Sequence, residues 1–265
     1  MVRRAGSKDP QYTASDWKNL GYRDPPKLPN LTCSVHPIFA QYRDDGERRF
    51  GGSAYQYELI LPALQLATNY LYSPSSRKFI YSLVYADRKP VPVEGFELVE
   101  QFDEIDPSLY SSAKMDRIWD QLAAGTKFGP FSVPGGFGMT APYVGSVDLK
   151  GDGSHGRTTI ICFNRGMTED MDNLHRSGRT QSAKMLRIQF ILAASLCQGV
   201  AHAVEAANRH PAIPPGEPSN KPSPFFKDQM TAEVGFSFLN EIFGGSFDGW
   251  RPGHPENNLE VTDCK

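Results

Sequence analysis

Between residues 181 and 209 apolar side chains recur at Met185, Ile188, Phe190, Ile191, Leu192, Leu196, Val200, Ala201 and Val204. Small Ala193, Ala194, Ala203, Ala206 and Ala207 fill the positions between them. This spacing predicts one long helix, apolar on most sides, running through the middle of a domain. Within that helix Gln198, His202 and Glu205 share a face, at intervals of four and three. A polar row on a buried helix needs partners or a cavity, so chemistry is expected there.

The remaining pattern predicts shorter elements. Residues 1–53 are rich in Pro, Gly and charge and read as an extended N-terminal arm, with Leu31, Val35, Ile38 and Phe39 docking on the core. A helix is expected from Tyr55 or Leu61 to Tyr72, the later start placing Pro62 in its first turn. Phe79-Ile-Tyr-Ser-Leu-Val-Tyr85 has the composition and length of a strand, and residues 87–95 read as a turn. Residues 107–124 read as a helix with Asp106 as N-cap, inner residues Leu109, Met115, Ile118, Trp119 and Leu122, and Gly125 as its stop. The Gly- and Pro-rich stretch 129–140 reads as a surface loop. It lacks the Gly-Lys-Ser/Thr and the following helix of a phosphate cradle. Residues 143–149 and 158–163 read as two strands joined by the turn-rich 150–156. Residues 164–178 read as a polar loop. Six prolines in 210–224 exclude regular structure. Residues 231–243 read as a short helix stopped by Gly244-Gly245, and 246–265 as a loop-rich tail.

Composition narrows the class. Of 265 residues, 39% are apolar and 11% aromatic, enough for a sizeable core, and the formal net charge is −2. There is no general basic surface for nucleic acid. No continuous apolar run reaches the roughly 18 residues of a membrane span, and the N-terminus has no apolar signal core. A cytoplasmic protein binding neither membrane nor nucleic acid is expected; nothing in the sequence sets its oligomeric state. Cys33, Cys162, Cys197 and Cys264 form no CxxC pair, and Cys162 and Cys197, in apolar surroundings, read as buried reduced thiols. His155, His210 and His254 lie in turn- or Pro-rich stretches and read as solvated.

Four motifs add a resemblance. Leu196-Cys-Gln-Gly-Val-Ala-His-Ala203, Pro224-Phe-Phe226, Ala232-Glu-Val-Gly-Phe-Ser-Phe238 and Phe243-Gly-Gly245 resemble a family of fungal, zincin-like proteins. That family carries Leu-x-His-Glu-x-Ala-His-Ala, then Glu-Pro-Phe-Phe, Ala-Glu-x-Gly and Phe-Gly-Gly. The similarity spans residues 158–245. It implies an α+β fold, a zincin-like domain over 54–245 with a small mixed or antiparallel sheet and a long central helix. In such a fold two histidines bind Zn²⁺ and the Glu between them is the general base. Gln198 stands in the place of the first histidine and Gly199 in that of the base. His202 matches the second histidine, Glu233 the third ligand, and Ser223 the Glu before Pro-Phe-Phe. An amide and a glycine leave too few ligands and no base, so no metal and no cofactor are expected.

Three functions follow as expectations. The first is a metal-independent enzyme of isomerase or cyclase type, cycloaddition included, acting on a small, largely apolar molecule in fungal secondary metabolism. His202, Glu233 and Gln198 would be its catalytic groups, and Phe225, Phe226, Phe238, Gly199 and Cys162 would contact the substrate. The second is a non-catalytic pseudo-metallopeptidase binding a peptide along an edge strand at 158–163. The third is a residual zinc hydrolase. Against all three stands a purely structural His202, bonded to Glu233 or Gln198 in the core.

Overall fold

The computed structural model describes residues 31–93, 96–132, 138–208, 223–227, 229, 233–248 and 260–262. The chain divides into two units, Met1–Thr32 and Cys33–Lys265, and every element below belongs to the second. Residues 33–53 therefore pack with the domain: Ile38, Phe39 and Phe50 are buried in its core and Val35 packs against it, while Leu31 stays exposed.

Helix α1, Ala54–Leu71, takes the earlier of its two expected starts. Ser53 and Gln56 form a reciprocal capping box, and Tyr57, Leu59 and Ile60 are buried in the first two turns. Pro62 thus lies inside the helix rather than in its first turn. The run Phe79–Tyr85 is not a strand. It belongs to helix α2, Pro74–Tyr85, with Ser73 as N-cap and Pro74 in the first turn. Phe79, Ile80, Tyr81, Leu83 and Val84 are buried all round it, and a continuous apolar run of that kind fits a buried helix as well as a strand.

Strand β1, Lys89–Val93, lies in the expected turn and pairs antiparallel with β2, Phe96–Phe102. Pro90 and Pro92 are tolerated because β1 is an edge strand. Asp106 caps only a single 3-10 turn, Pro107–Leu109, which leaves Leu109 63% exposed. Helix α3, Ser112–Gly125, starts later on Ser111 and buries Met115, Ile118, Trp119 and Leu122.

Strand β3, Thr126–Phe131, leaves α3 without a loop, followed by β4, Gly138–Val147, and β5, Gly156–Asn164. Within the expected loop at 129–140, residues 129–131 and 138–140 are strand, and 133–137 lie outside the described residues. Gly129 permits the pairing: a Cβ there would sit 2.9 Å from the Gly51 nitrogen, and the Gly51 N–H donates to the Phe128 carbonyl at 2.8 Å. The sheet order is β3-β5-β4, with β3 parallel and β4 antiparallel to β5. The strand expected at the edge is thus the central one.

Helix α4, Arg165–Arg176, replaces the expected polar loop. Asn164 caps it, and Met167, Thr168, Met171 and Leu174 form a narrow buried stripe. Helix α5, Ala183–Asn208, runs close to the bounds its periodicity predicts. It is long and apolar enough to cross a membrane by length and composition, but 72% of its most apolar window is buried inside the domain. It packs against β5, β4 and α1. Strand β6, Phe225–Phe226, pairs parallel with β2. Helix α6, Val234–Phe243, ends on Gly244 at φ 73°, and β7, Ser246–Asp248, pairs with β8, Glu260–Thr262, inside the expected tail. The domain is a mixed helix and strand fold with small sheets around one long helix.

Candidate functional site

Helices α5 and α6 bring the polar row to a partner. The His202 Nε2 contacts a carboxylate oxygen of Glu233, and its Nδ1 lies 3.7 Å from Glu205 Oε2. The His202 and Glu233 side chains keep 27% and 25% of their surface, while Glu205 is buried. Ser223 Oγ donates to Glu205 Oε2 at 3.1 Å and so holds the second carboxylate. Glu233 is also the N-cap of α6 and accepts from the Phe236 N–H.

This environment fixes the charge of His202. Burial pushes the imidazole pKa down, but the hydrogen bonds and charges of Glu205 and Glu233 outweigh it and raise the value to about 9. Near neutral pH the ring is an imidazolium with both N–H groups directed at carboxylates. Gln198 lies one turn before it. A Cβ built on Gly235 of α6 would sit 2.8 Å from His202 Nε2 and 3.0 Å from Gln198 Nε2. The bare backbone of Gly235 therefore lets α6 close on both side chains.

The other expected contact residues are dispersed. Gly199 is buried against β5, where any Cβ would collide with Ile161, and its carbonyl accepts from Thr140 Oγ1 at 3.3 Å. Phe226 and Phe238 are fully buried. Their ring centroids lie 4.8 and 5.2 Å from that of Phe79, edge-on for Phe226 and tilted for Phe238, and Phe226 lies tilted 5.0 Å from Phe102. They are core, not lining. Phe225, beside them on β6, is half-buried. Strand alternation puts Cys162 on the face of β5 opposite Ile161, away from α5, and burial raises its thiol pKa. Cys33, Cys162 and Cys197 are unpaired thiols. Glu205 faces His202; His210 and His254 lie outside the described residues. Phe236, 42% exposed beside Glu233, is an aromatic group that sequence reasoning passed over. Its place three residues after an N-cap was the available signal.

The donor set does not fit a zincin metal centre. Glu233 occupies His202 Nε2, Glu205 addresses the opposite nitrogen, and Gln198 supplies only a neutral amide. Among the described residues no three His, Cys, Asp or Glu side chains are grouped as metal ligands. The peptide-binding expectation loses its strand, since β5 is paired on both sides. Comparisons with protein-family models, curated proteins and solved structures found no match.

Proposed function

We propose that this chain is a zincin-like protein in which an ion-paired His202–Glu233 couple stands where a metal would be bound, and that it is a metal-independent enzyme. Its reaction is an isomerisation or cyclisation, cycloaddition included, of a small, largely apolar molecule in fungal secondary metabolism. The contact between His202 and Glu233, with Gln198 one turn away and about a quarter of each partner's surface open, is the observation that carries this reading. Both N–H groups of this imidazolium are taken by carboxylates, so the donor left for a substrate is the Gln198 amide. The partly open Glu233 carboxylate, oriented by His202 and the Phe236 N–H, accepts a proton from the substrate and returns it at another atom, the kind of help that a rearrangement without net redox change needs.

A rearrangement of this type conserves elemental composition. Replacing the gene in its source organism by the His202→Gln variant is therefore expected to remove one metabolite and to accumulate another of identical mass, read by liquid chromatography with mass spectrometry. An unchanged metabolite profile overturns the proposal. Stoichiometric zinc in protein purified without chelator overturns it in favour of a residual zinc hydrolase.

A further inference from the structure

A second site lies at the far end of β4. A cleft of about 340 Å³ opens there between β3, β4, α3 and the segment before α1, lined among others by Arg43, Glu47, Arg49, Lys127, Tyr143 and Thr158. Three of these side chains are cationic and one is anionic. Glu47 already bonds two of the cations, Lys127 Nζ at 2.8 Å and Arg43 Nη1 at 3.0 Å. Asp45 approaches Arg43 from the solvent side at 3.4 Å. Lys127 also donates to the Tyr143 hydroxyl at 3.1 Å and lies 4.8 Å over its ring.

Arg49 is different. It is only 4% exposed, and the sheet holds its backbone: the Phe128 N–H donates to its carbonyl at 3.2 Å and its own N–H to the Gln41 carbonyl at 3.0 Å. Its Nη1 donates to the Pro37 carbonyl at 2.5 Å. Its Nε and Nη2 have no hydrogen-bond partner among the described residues. Those two atoms form the edge of a guanidinium that donates two parallel hydrogen bonds to a carboxylate or phosphate. A buried charge with unmade hydrogen bonds is costly, and burial together with the nearby Arg43 lowers the pKa of Arg49. An incoming anion would remove both penalties.

We propose that this cleft binds a small organic anion, its carboxylate or phosphate group seated on the free edge of Arg49 and flanked by Lys127 and Arg43. The volume exceeds that of a bare oxyanion and leaves room for a body carrying the charged group. This site is independent of the His202 centre and stands or falls without it.

The test is isothermal titration of the full chain with inorganic phosphate, glucose 6-phosphate and malonate, each against chloride at matched ionic strength. Saturable binding of at least one probe is expected, and the preferred probe tells phosphate from carboxylate. Arg49→Lys keeps the charge but loses the fork. Gln121→Glu puts a negative charge on the cleft lining without touching the buried guanidinium, so it remains informative if Arg49→Lys does not fold. Each is expected to weaken binding at least tenfold. Binding no stronger than the chloride control, or unchanged in Gln121→Glu, overturns the proposal.

Discussion

Gly199 of α5 lies against the side chain of Ile161 on β5, so close that no Cβ fits between helix and sheet. The resemblance would put a glutamate at this position, and Ile161 leaves no room even for its Cβ. Gly199→Glu is expected to destabilise the fold by about 1–3 kcal/mol through overpacking, measured by denaturant unfolding. Ile161→Ala alone is expected to cost about 2–5 kcal/mol. The double variant is expected to cost at least about 1 kcal/mol less than the sum, because the cavity from one change receives the bulk of the other. Strict additivity would show that the two positions do not share this space.

Gly235 plays the corresponding role on α6, backing onto Gln198 and His202. Gly235→Ala is expected to displace the Gln198 side chain and disturb the His202–Glu233 contact, seen as shifted His202 imidazole resonances in NMR. Gly244→Ala is the control. Gly244 has open space around it and a φ of 73°, so its substitution costs only left-handed strain, about 1 kcal/mol, and leaves the His202 resonances in place.

Glu233 both caps α6 and holds the charge of His202, and substitution can separate the two roles. Glu233→Ser retains a capping oxygen and removes the carboxylate. The His202 titration is expected to fall from about 9 towards the ordinary histidine range, with α6 intact. Glu233→Ala is expected to lower the titration likewise and also to lose about 1 kcal/mol of cap stability. An unmoved titration in Glu233→Ser would mean that Glu233 does not set the charge.

Two histidines tilt the pH dependence of stability in opposite directions. His36 is buried, accepts from the Ile38 N–H at 3.2 Å, and has its pKa pushed down by burial to about 4. Its contribution is present above about 6.5, the unfolded value, and is lost as pH falls towards 4, a change of about 3 kcal/mol at 1.36 kcal/mol per unit. His202 is raised, so its contribution is full below 6.5 and is lost as pH rises through about 9. Melting temperature against pH is expected to peak between the two windows. His36→Asn, which keeps an acceptor for the Ile38 N–H, is expected to flatten the acid limb. His202→Gln is expected to flatten the alkaline limb.

Long periodic elements were readable from the chain. α5 spans Ala183–Asn208 where the apolar spacing indicates 181–209, and α6 and β5 also lie close to their expected bounds. Short apolar or polar stretches were not. Residues 79–84 are all buried, which erases periodicity. The stripe of α4 is narrow enough to be hidden by its charges. At the site, the row Gln198, His202 and Glu205 was legible because helix geometry alone sets its common face. The direct contact with Glu233 was expected only through the resemblance.

The sequence by itself determined which side chains share a face of α5 and where its amphipathic neighbour α6 ends, at Gly244. Those are properties of single elements, set by local geometry. Only the tertiary structure decided that β5 is a central strand, that Phe226 and Phe238 belong to the core, that Glu205 and Glu233 take opposite nitrogens of His202, and that Arg49 is buried with two donors unmet. Each depends on which distant segment covers a given face, and packing between elements, not periodicity along them, settles that.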